Sequence, residues 1–133
     1  AEVEAMDRND NNLALRSSGA IAKASSFMPG SLPRNAIDGE YDSEANYQSR
    51  PKTTDEYLLI NLAYPSDIAN VKIHAPADIE DENKDYIVQL LNKDDFVLAT
   101  FPINTFDEQN EGMVQINKLV AKLRVTPTNA NVL

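Results

Sequence analysis

Glu56 to Ala75 reads EYLLINLAYPSDIANVKIHA, and the alternation within it sets the fold class. In its first half Leu58, Ile60 and Leu62 fall on one face and Tyr57, Leu59 and Asn61 on the other. That period of two is what a half-buried strand requires. Ile68 to Ala75 repeats it, with Ala69, Val71 and Ile73 expected inward and Asn70, Lys72 and His74 outward. Between them Tyr64-Pro65-Ser66-Asp67 brings a proline and short polar side chains, the composition of a turn.

The same grammar continues toward the C-terminus. Tyr86 to Leu91 (YIVQLL), Phe96 to Phe101 (FVLATF) and Met113 to Asn117 (MVQIN) are strand candidates, and Asn92-Lys93-Asp94-Asp95 suits a hairpin turn between the first two. Leu119 to Thr126 alternates Leu119, Ala121, Leu123 and Val125 against Val120, Lys122, Arg124 and Thr126. Pro127, which has no N–H to give to a ladder, marks its end. Asp78 to Asp85 (DIEDENKD) carries too many carboxylates to be buried and is expected to be a solvated loop. Ala20 to Ser26 is short enough to be helix or strand. Residues 1–12, polar and acidic, are expected to form a flexible N-terminal tail or linker, leaving 13–133 as one binding domain. Adjacent strands with short turns make the chain all-β, an antiparallel β-sandwich.

Composition bounds the chemistry. The chain has 133 residues, 42% of them hydrophobic and 25% charged, which is enough for one core and no second domain. A net charge of −9 repels phosphate backbones and anionic lipid, so nucleic acid and membranes are disfavoured as partners. The absence of cysteine excludes disulfides and thiolate chemistry. No apolar run approaches the roughly 20 residues of a membrane-spanning helix. With one histidine, 4 glycines and no Gly-x-Ser-x-Gly turn, neither a nucleophilic triad nor a phosphate-binding loop is legible. A pair of carboxylates among 21 acidic residues leaves glycoside hydrolysis formally open, but the reading favours a protein that is not an enzyme.

Several segments, in order, resemble the discoidin domain, also called the factor V/VIII type C domain, and its relatives among the family 32 carbohydrate-binding modules. They are Asn12-Leu13-Ala14-Leu15, Ala24-Ser25-Ser26, Asn35-Ala36-Ile37-Asp38-Gly39, Tyr47-Gln48-Ser49-Arg50, Glu56 to Leu62 and Ile68 to His74. The resemblance spans roughly Asn12 to Thr126. It implies a jelly roll whose ligands sit in loops at one end of the sandwich, exported to a secreted, periplasmic or cell-surface location. It also implies a lectin-like function, the holding of a glycan.

On that basis the ligand-binding set is Ser26, Phe27, Gln48, Arg50, Lys52 and His74. Planar donors and acceptors are what a sugar needs, because hydroxyls taken from water must be paired again. If the basic residues converge, an acidic polysaccharide bearing uronate becomes the expected glycan, since arginine meets a carboxylate bidentately. For His74 the plainer alternative is a solvated or locally bonded side chain. A protein-interaction or adhesion module on the same fold is the alternative function, with a protein as the partner.

Ala36 to Ser43 further resembles a loop that holds structural calcium in such modules, which makes Asn35, Asp38, Glu40, Asp42 and Ser43 the candidate metal ligands. Asp38, Asp42 and Ser43 offer the hard oxygens calcium prefers. The alternative is a turn in which Asp38 caps its own backbone. The family's acidic ligand after the last strand has no counterpart in Pro127 to Leu133, and tryptophan gives way to Tyr47.

Overall fold

The structure is a computed structural model that describes residues 2–26, 32–40, 56–75 and 84–128. Its strands are β1 (Glu2–Met6), β2 (Ile21–Ala24), β3 (Leu58–His74), β4 (Tyr86–Leu91), β5 (Val97–Ile103) and β6 (Glu111–Pro127). All pair antiparallel, in the order β1-β3-β6-β4-β5, with β2 also on β3.

The two long strands carry the architecture. β2 lies on the first part of β3, opposite Leu58 to Asn61, and β1 on the last part, opposite Asn70 to His74. β4 lies between β5 and β6, and on β6 it pairs with Lys122 to Pro127 alone, the second part of that strand. The chain therefore builds two layers that share β3 and β6. One holds β2, β4 and β5, and the other holds β1.

The layers fold onto each other. Tyr86 pairs with Pro127, and a straight strand would carry Gly112 roughly 50 Å from there at about 3.3 Å per residue. Yet Tyr86 meets Phe106 edge to face at 5.9 Å, and a Cβ built on Gly112 would lie 2.5 Å from Ile103 and 2.9 Å from Phe106. Gly112 has no side chain because the other layer occupies that space. Val3, Ala5, Val71 and Ile73 of one layer and Leu58, Ile60, Val88, Leu90, Leu123 and Val125 of the other form the core between them.

The bend that makes this possible is a register defect. Asn61 pairs with Lys122 and Ser66 with Val120, so Leu62 to Pro65 stand against the single Ala121. Extra residues on one strand twist and bend a ladder. Tyr64-Pro65-Ser66-Asp67 therefore form a corner within β3 where the sequence implies a turn between two strands. A second shift lies between Ile68 and Asn70, opposite Asn117, whose φ is 53°. The first shift displaces the register by three residues and the second by one, odd numbers that each reverse the inward face of one strand relative to the other. Ile68 is buried in place of the expected Ala69, and Val120 is buried while Leu119 is 58% exposed.

Three further expectations meet the structure here. Asn92 to Asp95 does turn β4 into β5, with the Asn92 side-chain oxygen accepting the Asp94 and Phe96 N–H groups. Within Ala20 to Ser26, Ile21–Ala24 resolves as strand, because β3 offers it a ladder. The expected tail is corrected: Glu2–Met6 is a fully buried strand, and Asn12 fastens its exit by accepting the Ala5 and Ala14 N–H groups. The acidic segment 78–85 lies outside the described residues except for Lys84 and Asp85.

Candidate functional site

Because β3 and β6 bend near their middles, both ends of each come to one pole of the sandwich. His74, Glu111 and Ala24 lie there, and so do Ser26, Glu56, Ala75 and Lys84, the described residues at which 27–31 begins, 41–55 ends and 76–83 begins and ends. The opposite pole holds the bends and short turns. We refer to them as the loop pole and the turn pole.

The stems at the loop pole are tightly held. Ala75 N–H donates to the Asn110 carbonyl at 2.9 Å, and Lys84 Nζ donates to the Asn110 side chain at 2.5 Å. One residue thus clamps both ends of 76–83. Asn110 can do so because it sits at φ 61°, a left-handed conformation that asparagine tolerates. Lys84 is buried, where an ammonium group requires such a partner.

Glu56 organises a second stem. The hydroxyls of Ser25 and Ser26 each lie 2.5 Å from its Oε2, and Ser25 also accepts the Tyr57 N–H at 2.9 Å. Two hydroxyl donors on one carboxylate oxygen hold the point from which 27–31 departs. Beside it Arg124 stacks over the Tyr57 ring at 4.4 Å.

His74 ends β3 with 11% of its side chain exposed. Its Nε2 lies 2.8 Å from Glu4 and 3.5 Å from Glu111, and since both partners are carboxylates, Nε2 carries the hydrogen. The register explains this cluster, because Glu111 faces His74 across β3 and β6 while Glu4 faces the neighbouring Lys72. The locally bonded alternative for His74 is thus part of the structure. Glu4 was hidden in the expected tail, although Val3 and Ala5 alternate with Glu2 and Glu4 in a strand-like period.

The loop expected to bind calcium begins in a 3₁₀ turn, Pro33–Ala36, which includes Asn35. Asp38 Oδ1 accepts the Glu40 N–H at 2.9 Å, so the side chain does cap its own turn. Glu2 reaches this loop from β1, and its Oε2 accepts the Gly39 N–H at 2.8 Å. Oε1 has no hydrogen-bond partner among the described residues, although Glu2 is only 2% exposed. Burial first, then the neighbouring Asp38 carboxyl, push the Glu2 pKa up to about 8. Among the described residues no group of three or more His, Asp or Glu side chains stands close enough to hold a metal.

Of the expected ligand set, Ser26 and His74 are brought to the loop pole, while Phe27, Gln48, Arg50 and Lys52 lie outside the described residues, as do Asp42 and Ser43. Sequence reasoning missed Glu2, Glu4, Glu56, Lys84 and Asn110. Each acts through a partner far along the chain or across a turn, which composition does not announce.

No protein-family model matches the chain, and no curated protein matches it in sequence. Solved structures do. The lectin domain of lectinolysin complexed with Lewis B antigen superposes with a TM-score of 0.78 at 21% identity, over 92% of this chain and 90% of that one. A Streptococcus pneumoniae fucose binding module gives 0.78 at 18% identity, over 96% and 92%. The family 32 module of C. perfringens NanJ in complex with galactose gives 0.64 at 16% identity, over 96% and 89%. The chain therefore has the discoidin-type, galactose-binding-like sandwich fold of these lectin and carbohydrate-binding modules.

Proposed function

We propose that this protein is a non-catalytic carbohydrate-binding module that grips a glycan at the loop pole. The observation that carries the reading is the convergence of three loop stems on one pole of a sandwich shared with lectin and fucose-binding modules. In this reading Gln48, Arg50 and Lys52 supply the planar and cationic donors and Phe27 an apolar face. Ser26 and His74, held by Glu56 and Glu4, form the rigid rim. Fixed stems lower the ordering cost of binding. Arg50 and Lys52 together suit a uronate as well as neutral hydroxyls. The module acts outside the cytoplasm, where glycans are presented. None of the helices among the described residues is long and apolar enough to cross a membrane.

The same reading includes a structural calcium at residues 35–43. Glu2 fits it: a buried carboxylate oxygen without a hydrogen-bond partner among the described residues, beside Asp38, is a hard donor of the kind calcium takes. Glu2, Asp38, Asp42 and Ser43 would hold the ion, with Asn35 and Glu40 contributing from the same loop. When bound, calcium would neutralise the clustered carboxylates and fix the loop that leads into Gln48 and Arg50.

The test is a glycan array followed by calorimetric titration with neutral and uronic sugars. Binding that Arg50→Ala weakens about tenfold or more supports the reading. Silence across all glycans, together with capture of a protein ligand, would instead favour an adhesion module on this fold.

A further inference from the structure

The turn pole carries a groove that the loop-pole reading does not use. Because Leu62 to Pro65 bulge against Ala121, Tyr64 is thrown outward and is 66% exposed. Two cavities of about 370 and 320 Å³ adjoin beneath it and share Asp7, Leu13, Tyr64 and Ser66. Each is at the lower end of the size range of small-ligand sites.

The groove is preformed. Asp7 accepts the Asn9 and Asn11 N–H groups at 2.8 and 2.9 Å, which fixes the turn that forms one wall. Ser66 Oγ donates to the Tyr64 carbonyl at 3.0 Å, which fixes the other. Gly19, at φ 92°, brings the Arg16–Ser18 turn against the corner so closely that a Cβ there would lie 3.0 Å from that of Ala63. Arg8 and Asp67 also line the groove, and neither side chain is engaged by another described residue.

We propose that this groove is a second carbohydrate subsite, which takes one neutral hexose or deoxyhexose ring against Tyr64 with its hydroxyls paired to Arg8 and Asp67. An aromatic face suits the C–H side of a sugar, and one donor and one acceptor side chain suit its hydroxyls. A purely apolar ligand would leave Arg8 and Asp67 desolvated and unpaired. A uronate or phosphate would meet Asp7 and Asp67 on a chain of net charge −9. The inference rests on the proposed glycan-binding function and adds a second valence to it. Tyr64 and His74 are ten residues apart along β3, so the two poles lie up to about 30 Å apart and can be filled at once.

The experiment is an amide chemical-shift titration of the labelled full chain with L-fucose, D-galactose and D-glucuronate. Fucose or galactose is expected to move Asp7 to Leu13 and Tyr64 to Asp67, and glucuronate to leave them still. Tyr64→Ala and Arg8→Ala, both exposed, are each expected to weaken these shifts about tenfold without altering those at the loop pole. Arg50→Ala is expected to do the reverse. Shifts confined to the loop pole overturn the second subsite and leave the first reading standing, whereas shifts at neither pole overturn both. Turn-pole shifts that survive Tyr64→Ala also overturn the assignment.

Discussion

The carboxyl of Glu2 accepts the backbone N–H of Gly39 at 2.8 Å, joining the first strand to a loop 37 positions away. Its other oxygen is buried without a partner among the described residues, beside Asp38. A carboxylate there loses its hydration, so the neutral acid is favoured.

This makes folding of the metal-free protein pH-dependent in a defined direction. The Glu2 pKa is about 8 in the folded chain against 4.5 for the free side chain, so between those values the folded state binds the extra proton. Stability from this group is fully present below about pH 4.5 and is lost as pH rises toward 8. Urea unfolding in chelator should show a decline over that window amounting to a few kcal/mol, and Glu2→Gln should remove most of it.

Calcium should reverse part of that penalty. A ligand that binds only the folded state at a hundredfold excess over its dissociation constant adds about 2.7 kcal/mol, or about 10 °C for a chain of this size. Thermal unfolding in calcium and in chelator checks it. Asp38→Asn and Glu2→Gln should each shrink the difference, and identical melting curves for the native chain would remove the metal from the proposal.

Gly112→Ala tests the way the layers close. The new methyl would press on Ile103 and Phe106, both held by neighbours in the other layer. Overpacking of this kind costs about 1–3 kcal/mol. Denaturant unfolding should register that loss. The same change at an exposed strand position would cost far less.

Tyr86→Phe should behave in the opposite sense. The Tyr86 hydroxyl is buried and has no partner among the described residues, and burial pushes its pKa up to about 12. Removing it should leave stability unchanged or raise it by up to about 1 kcal/mol. The native chain should lose stability as pH climbs from 10 toward 12, where the unfolded phenol ionises first, and the variant should lose less.

The strand alternation at Leu58 to Leu62, Tyr86 to Leu90 and Leu123 to Val125 was legible because each run packs one face on a single core. The Asn92 turn was legible because its side chain bonds locally. Ala69 and Leu119 were misassigned because bulges shift the phase of a strand without changing its composition. Glu2 and Glu4 were obscured by their charge, which marks solvent until a buried partner is known.

By itself, then, the sequence determined an all-β chain, the inward residues of its regular strands and a net charge of −9. Those follow from period and composition, which are local. Only the tertiary structure decided that residues 2–6 complete the sandwich, that His74 is held by Glu4, and that Glu2 lies beside Asp38. It also set Tyr64 at the pole opposite His74. Each of these depends on where β3 and β6 bend, and that is fixed by pairing between residues distant along the chain.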